Sequence, residues 1–288
     1  MREFPVFVPY GREHVAAVVT VPEGEPRGLV VLATGLGAPR SHRHQVWAVA
    51  AERLARSSIA SVRFDYLALH DSTGSAQELR TPPTGEAMAV AEFARRATGA
   101  KEIIGVGNCW GAHVALTVAA RMEACVGAVC ILPETVEPGR AGSALRRAVG
   151  RKVAALLRSN RKIRRIVKPL KRRDLQPSQA VRELLPRALE RSKVLFLYDE
   201  EHLDTGRREV GKVRALLERL PEDVRGRFEL RLIPGRGLAR LRSVEVQESL
   251  LTTILEWAEE RFPLMKAAEP VPEASLSSQA SAAPRGVL

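Results

Sequence analysis

The chain has 288 residues, of which 45% are hydrophobic and 27% charged, and its formal net charge is +12. Such a length suits one large α/β domain with an insertion, or at most two domains, and a core of this size needs no disulfides. Cys109, Cys125 and Cys130 are odd in number and fall in segments that read as buried, which predicts free thiols in a reducing compartment. The N-terminus lacks the basic-then-apolar pattern of a signal peptide, and no apolar run reaches membrane-spanning length, so the cytoplasm is the expected location.

Two short β-type runs, Phe4–Val8 and His14–Val21, open the chain and read as an antiparallel hairpin around Pro9-Tyr10-Gly11-Arg12. A buried strand follows at Gly28–Ala33, then the turn Thr34-Gly35-Leu36-Gly37, a helix over His44–Arg56, a strand at Ile59–Phe64 and a loop over Asp65–Gly74. A helix at Thr84–Arg96, a strand at Glu102–Val106, a helix from Trp110 to Met122 and a strand at Val126–Leu132 continue the alternation. After a long insertion come a strand at Val194–Tyr198, a helix at Arg207–Arg219, a strand at Phe228–Ile233 and a helix at Val244–Arg261. Strands that are apolar on both faces and alternate with long helices indicate an α/β fold, a mostly parallel sheet covered by helices on both faces. The expected organisation is a core over 1–133 and 193–264, a basic helical lid over 134–192, and a disordered tail over 265–288 that is rich in Ala, Ser, Pro and Glu.

The insertion holds the charge. Between Arg140 and Arg173 stand fourteen Arg and Lys and no acid, so removing them from +12 leaves −2 for the remainder. Leu145, Val149, Val153, Leu156 and Leu157, then Ile163, Ile166, Val167 and Leu170, recur at helical spacing. Pro169 is expected to break the second helix, and Pro177 and Pro186 to mark further breaks before the sheet resumes. Such a run is either a solvated basic face or a docking surface for something acidic, with Arg161, Lys162, Arg164 and Arg165 at its centre. Nucleic acid is disfavoured, because the segment has no aromatic residue on which a base can stack.

The sharpest motif is Gly107-Asn108-Cys109-Trp110-Gly111, which follows a buried strand and opens a helix. A nucleophile held on a tight strand-to-helix turn needs small neighbours two residues away, and the turn lifts it above the sheet edge. The helix N-terminus beneath the sulfur favours thiolate. From about His14 to Arg261, apart from the insertion, the chain resembles the α/β-hydrolase family. Ala33-Thr34-Gly35-Leu36-Gly37 is similar to its HGxG oxyanion loop, and Arg63-Phe64-Asp65-Tyr66 followed by Asp71-Ser72-Thr73-Gly74 resembles its RxDYRGxGxSxG loop. A cysteine at the turn is similar to dienelactone hydrolases and some biosynthetic thioesterase-like members. The resemblance implies Cys109 as nucleophile, with the backbone N–H groups of Leu36 and Trp110 as oxyanion donors.

The same resemblance puts an acid after Val194–Tyr198, where the chain reads Asp199-Glu200-Glu201-His202-Leu203-Asp204. His202 falls on the acid's position, and Glu201 and Asp204 are the nearest substitutes. The family's histidine is expected in the run after Ile233, where Leu238 stands instead, and no histidine follows His202. His202 or His70 is the expected substitute base. His42 and His44, which follow the oxyanion-like loop, are expected at the pocket mouth, His113 is expected to be a packed side chain, and His14 has no evident role. No metal-ligand spacing stands out, and no cofactor is implied.

Two function classes remain open. One is a cysteine-dependent hydrolase or thioesterase-like enzyme on an ester or acyl thioester, with an acyl carrier protein or coenzyme A received by the basic lid. The other is a hydrolase-like scaffold without catalysis that docks an acidic partner; a lesser reading is a non-hydrolytic cyclase.

Overall fold

The computed structural model describes residues 1–75, 83–138 and 175–264; the helices expected within 139–174, with Arg161, Lys162, Arg164 and Arg165, and the expected tail lie outside the described residues. The strands are β1 (Arg2–Tyr10), β2 (Glu13–Val21), β3 (Leu29–Ala33), β4 (Ala60–Phe64), β5 (Ile103–Asn108), β6 (Cys125–Ile131), β7 (Val136–Pro138), β8 (Leu175–Pro177), β9 (Lys193–Asp199) and β10 (Phe228–Ile233). The helices are α1 (Val46–Arg56), α2 (Thr84–Thr98), α3 (Trp110–Arg121), α4 (Gln179–Arg191), α5 (Glu200–Leu217), α6 (Glu222–Arg225) and α7 (Val244–Arg261).

Eight strands form one sheet in the order β1-β2-β4-β3-β5-β6-β9-β10. The hairpin β1–β2 and the β2–β4 pair are antiparallel, and every later pair is parallel. The expected mostly parallel sheet is thus present. Its strands are apolar on both faces because each face carries its own core. One core joins Val31, Ile103 and Phe196 to α2, α3 and α4, and the other joins Val30, Ile104 and Leu195 to Trp47 of α1 and Trp257 of α7.

The strands on either side of residues 139–174 meet. β7 and β8 pair antiparallel, Val136 opposite Pro177, and Ser178 donates from Oγ to the Glu134 carbonyl (2.9 Å). Ser178 also caps α4 by accepting the Val181 N–H (3.3 Å). Pro186, expected to break the chain, sits inside α4. An internal proline costs about 3 kcal/mol, but each fully buried Val or Leu returns about 1.5–3 kcal/mol. Here Val181, Leu184, Leu185, Ala188 and Leu189 all face the core, so packing wins.

α5 starts at Glu200, earlier than the periodicity predicts, because Asp199 at the end of β9 accepts the His202 N–H (2.9 Å) and caps it. Among the described residues no helix is long and apolar enough to cross a membrane.

Candidate active site

The parallel strands bring their C-terminal ends to one edge of the sheet. At that edge Cys109 joins β5 to α3 with φ 53° and ψ −113°. A side chain in such a region costs on the order of 1–3 kcal/mol and persists only where the surroundings hold it. Here the Cys109 N–H donates to the Ile131 carbonyl (3.1 Å) and its own carbonyl accepts from Ala112 N–H (3.1 Å). The flanking glycines are sterically required. A Cβ on Gly107 would stand 2.1 Å from the Gly111 oxygen, and one on Gly111 would stand 2.4 Å from the Ala33 oxygen. The outcome is an exposed thiol at the head of α3, although the surrounding segment reads as buried. Cys125 and Cys130 are buried as expected, and burial pushes the Cys125 thiol up to about 11 and raises that of Cys130 further.

The turn after β3 lies on this elbow, since a Cβ on Gly35 would be 3.6 Å from that of Cys109. Tyr66 O–H donates to the Thr34 carbonyl (2.5 Å) and Trp47 Nε1–H to the Ala33 carbonyl (3.3 Å). Ala38 N–H closes the turn on the Gly35 carbonyl (3.1 Å), with Gly37 at φ 78° where a Cβ would be strained. In a trans peptide C=O and N–H point opposite ways, so this bond turns the Leu36 N–H out of the turn. The Leu36 residue is 47% exposed. Trp110, as the first residue of α3, has an N–H that no helical carbonyl reaches.

On one side of Cys109, two strands away, the loop after β4 is clamped to the segment that follows the β3 turn. Buried Asp65 accepts the Arg40 N–H (2.7 Å) and pairs with the Arg40 guanidinium, which also pairs with Asp71 (2.6 Å). His70 is exposed in this loop with φ 51°.

On the other side, also two strands away, stands a carboxylate that sequence reasoning passed over. Asp199 is fully buried at the end of β9. Its Oδ2 accepts the N–H groups of Gly237 (2.8 Å) and Leu238 (2.9 Å), and its Oδ1 lies 2.6 Å from His202 Nδ1. Burial pushes this carboxyl up, but the amides of Leu238 and His202 and the imidazole outweigh it and hold the pKa below the ordinary carboxylate range. The available signal was an acid ending an apolar strand, three residues before a histidine. Glu201 is exposed in the first turn of α5, and the side chain of Asp204 lies outside the described residues.

Leu238 is 1% exposed and packs in the core with Val246 and Leu250, so the side chain after β10 faces away from the sheet edge. Register places the rest. Asn108 pairs with Ile131, and Ile131 with Leu197, so Cys109 stands one residue and Asp199 two residues beyond one level of the sheet. Strands β5 and β9 are separated only by β6, hence by about 10 Å. Such an edge holds a thiol, two backbone donors and an imidazole–carboxylate pair, the parts that acyl transfer uses. Among the described residues no cluster of three or more metal-ligating side chains occurs.

No family model matches the chain, and no curated protein sequence does. Solved structures do. The chain is similar to a dienelactone hydrolase from Anabaena variabilis ATCC 29413, at 18% identity over 90% of this chain and 97% of that one, with a TM-score of 0.55. It is similar to Est1E from Butyrivibrio proteoclasticus, described with ferulic acid bound, at 13% identity over 88% and 98% and a TM-score of 0.58. A proline iminopeptidase from Mycobacterium smegmatis matches at 16% identity over 90% and 99%, with a TM-score of 0.58. At such identities the likeness is one of fold.

Proposed function

We propose that this chain, which has the α/β-hydrolase fold, is a cysteine-dependent enzyme of acyl transfer or hydrolysis acting on an ester or thioester. The observation that carries the reading is the conformation of Cys109, an exposed thiol on a strained turn whose two flanking glycines admit no side chain. Sγ attacks the carbonyl carbon, and the Leu36 and Trp110 N–H groups hold the oxygen as it becomes an anion. Collapse releases the alcohol or thiol and leaves an acyl-cysteine, which water or a second nucleophile then cleaves. His202 moves the protons. Asp199 fixes its ring through Nδ1, in the way a buried acid orients a catalytic imidazole. This pair replaces a histidine after β10. A thiolate depends less on a base than a serine hydroxyl does, which suits a rearranged relay.

Thioesters fit the reading best. The insertion leaves the sheet after β6, between the strands of Cys109 and Asp199, and β7 and β8 pair on either side of residues 139–174. Its basic sequence, with Arg161, Lys162, Arg164 and Arg165, would then receive the phosphates of coenzyme A or an acidic carrier protein. The test is turnover of short acyl thioesters: Cys109→Ala should abolish it and His202→Gln should slow it at least tenfold. Unchanged turnover in Cys109→Ala would overturn the reading.

Buried Leu238 favours a second reading, a binding protein that keeps the fold without the chemistry. Charge reversal at Arg161, Lys162, Arg164 and Arg165 would then abolish partner binding, while Cys109→Ala would leave it intact.

A further inference from the structure

One imidazole beside Cys109 has no part in this chemistry. His42 is 3% exposed, and its Nε2–H donates to Oδ1 of Asn108 (3.0 Å), the residue immediately before Cys109. The ring lies against Trp47 with centroids 5.1 Å apart, and burial holds the imidazole below its ordinary pKa against the pull of Asn108. It is therefore a neutral hydrogen-bond donor at pH 7.

Keeping it there requires unusual backbone. His42, His44 and Gln45 have φ of 61°, 55° and 60°, three non-glycine residues with positive φ within four positions. Strain of this kind gathers where a side chain must be aimed. The Nδ1 of His42 is also buried, with no well-formed hydrogen bond among the described residues and only the backbone of Arg43 close by. An apolar pair of the same shape would fill the space without stranding a polar atom. The arrangement makes sense if Asn108 has to be oriented.

Ile104 and Val106 of β5 face the core on the α1 side, so Asn108, two residues further along, faces that side too, where the turn after β3 crosses. A Cβ on Gly35 would be 3.6 Å from Asn108 Oδ1 and 3.6 Å from Cys109 Cβ, which places the amide between that turn and the elbow. Because His42 engages Oδ1, the planar amide turns Nδ2 away from His42. Nδ2 has no hydrogen-bond partner among the described residues, yet it is not buried. Asn108 directly precedes Cys109, so this amide belongs to the elbow that carries the sulfur.

We propose that Asn108 Nδ2 is a substrate-binding donor, and that the acyl groups taken at Cys109 carry an oxo or hydroxyl oxygen one or two carbons from the reacting carbonyl. The proposal rests on Cys109 forming the acyl-cysteine. An oxygen at that position pairs with the waiting N–H, whereas a plain hydrocarbon chain covers it and leaves it unpaired. A site built to hydrogen-bond a substrate group discriminates against the analogue that lacks it.

The experiment compares the N-acetylcysteamine thioesters of 3-hydroxybutanoate and butanoate in wild type, Asn108→Leu, Asn108→Asp and Cys109→Ala. The readouts are the ratio of kcat/KM values and the mass of the protein after a short incubation. Wild type should favour the hydroxyacyl substrate by about tenfold or more, the size of one well-aimed hydrogen bond. Both Asn108 variants should bring the ratio close to one. Asn108→Asp keeps an oxygen for His42 and replaces the donor with an acceptor; the charge it adds beside the sulfur acts on both substrates alike and cancels in the ratio. A wild-type ratio near one, or a ratio unchanged in both variants, would overturn the subsite while acylation of Cys109 persisted. Turnover that is unchanged in Cys109→Ala, with no acyl adduct on wild type from either thioester, would overturn the cysteine reading together with it.

Discussion

Asp199→Asn is the most informative substitution away from the thiol. The carboxylate accepts from the N–H groups of His202, Gly237 and Leu238, and faces His202 Nδ1, all at 2.6–2.9 Å. An amide keeps the shape but presents NH₂ on one side, where two donors already point. At least two charge-assisted bonds are lost and donors then oppose one another, a cost of about 2–4 kcal/mol. For a domain of this size that corresponds to a fall of roughly 5–15 °C in melting temperature. The pH dependence has a definite sign. Asp199 has a folded pKa below its unfolded value, so its contribution is complete above the ordinary carboxyl pKa and is lost as pH falls through the folded value. Urea unfolding of both proteins from pH 7 to pH 3 should show a gap that narrows at the acid end. A gap below about 0.5 kcal/mol at pH 7, or one independent of pH, would refute the view that this carboxylate clamps α5 to the loop after β10.

Three further outcomes are expected. Leu238→His should not raise thioester turnover, because that side chain faces the core, and burying an imidazole there should destabilise the fold by about 2 kcal/mol or more; a gain in activity would contradict the placement. Tyr66→Phe frees the Thr34 carbonyl, and steady-state kinetics should show kcat several-fold lower with KM little changed; equal values for both proteins would mean the bond does not position the turn. His42 is buried with a lowered pKa, so the unfolded chain takes up its proton first and stability falls as pH drops from the ordinary histidine value towards the folded one. His42→Gln should flatten that part of a chemical-denaturation profile, and an unaltered slope would show that His42 is not its source.

What was legible in the sequence was local. The strand Phe228–Ile233 and the helix Val244–Arg261 could be read from composition and period alone and match the observed bounds. So could the Cys109 turn, because the steric demand for Gly107 and Gly111 lies within a few residues. Asp199 could not, since two of its partners lie 38 and 39 residues downstream and its neighbours offered a whole acidic run to choose from. The burial of Leu238 was equally hidden: a substitution in the sequence does not say which way the side chain points. His42 meets Asn108 across 66 residues, and only the strand order brings them together. Pro186 misled because propensity is a local cost, whereas five buried side chains of α4 are a tertiary gain.

The central claim is that Cys109 forms a covalent acyl intermediate. The most direct measurement is peptide-level mass spectrometry of the protein quenched in acid after seconds with a short acyl thioester. The account predicts the acyl mass on the peptide containing Cys109, longer-lived in His202→Gln and absent in Cys109→Ala. Turnover of the thioester with that peptide never modified in wild type or His202→Gln would contradict it.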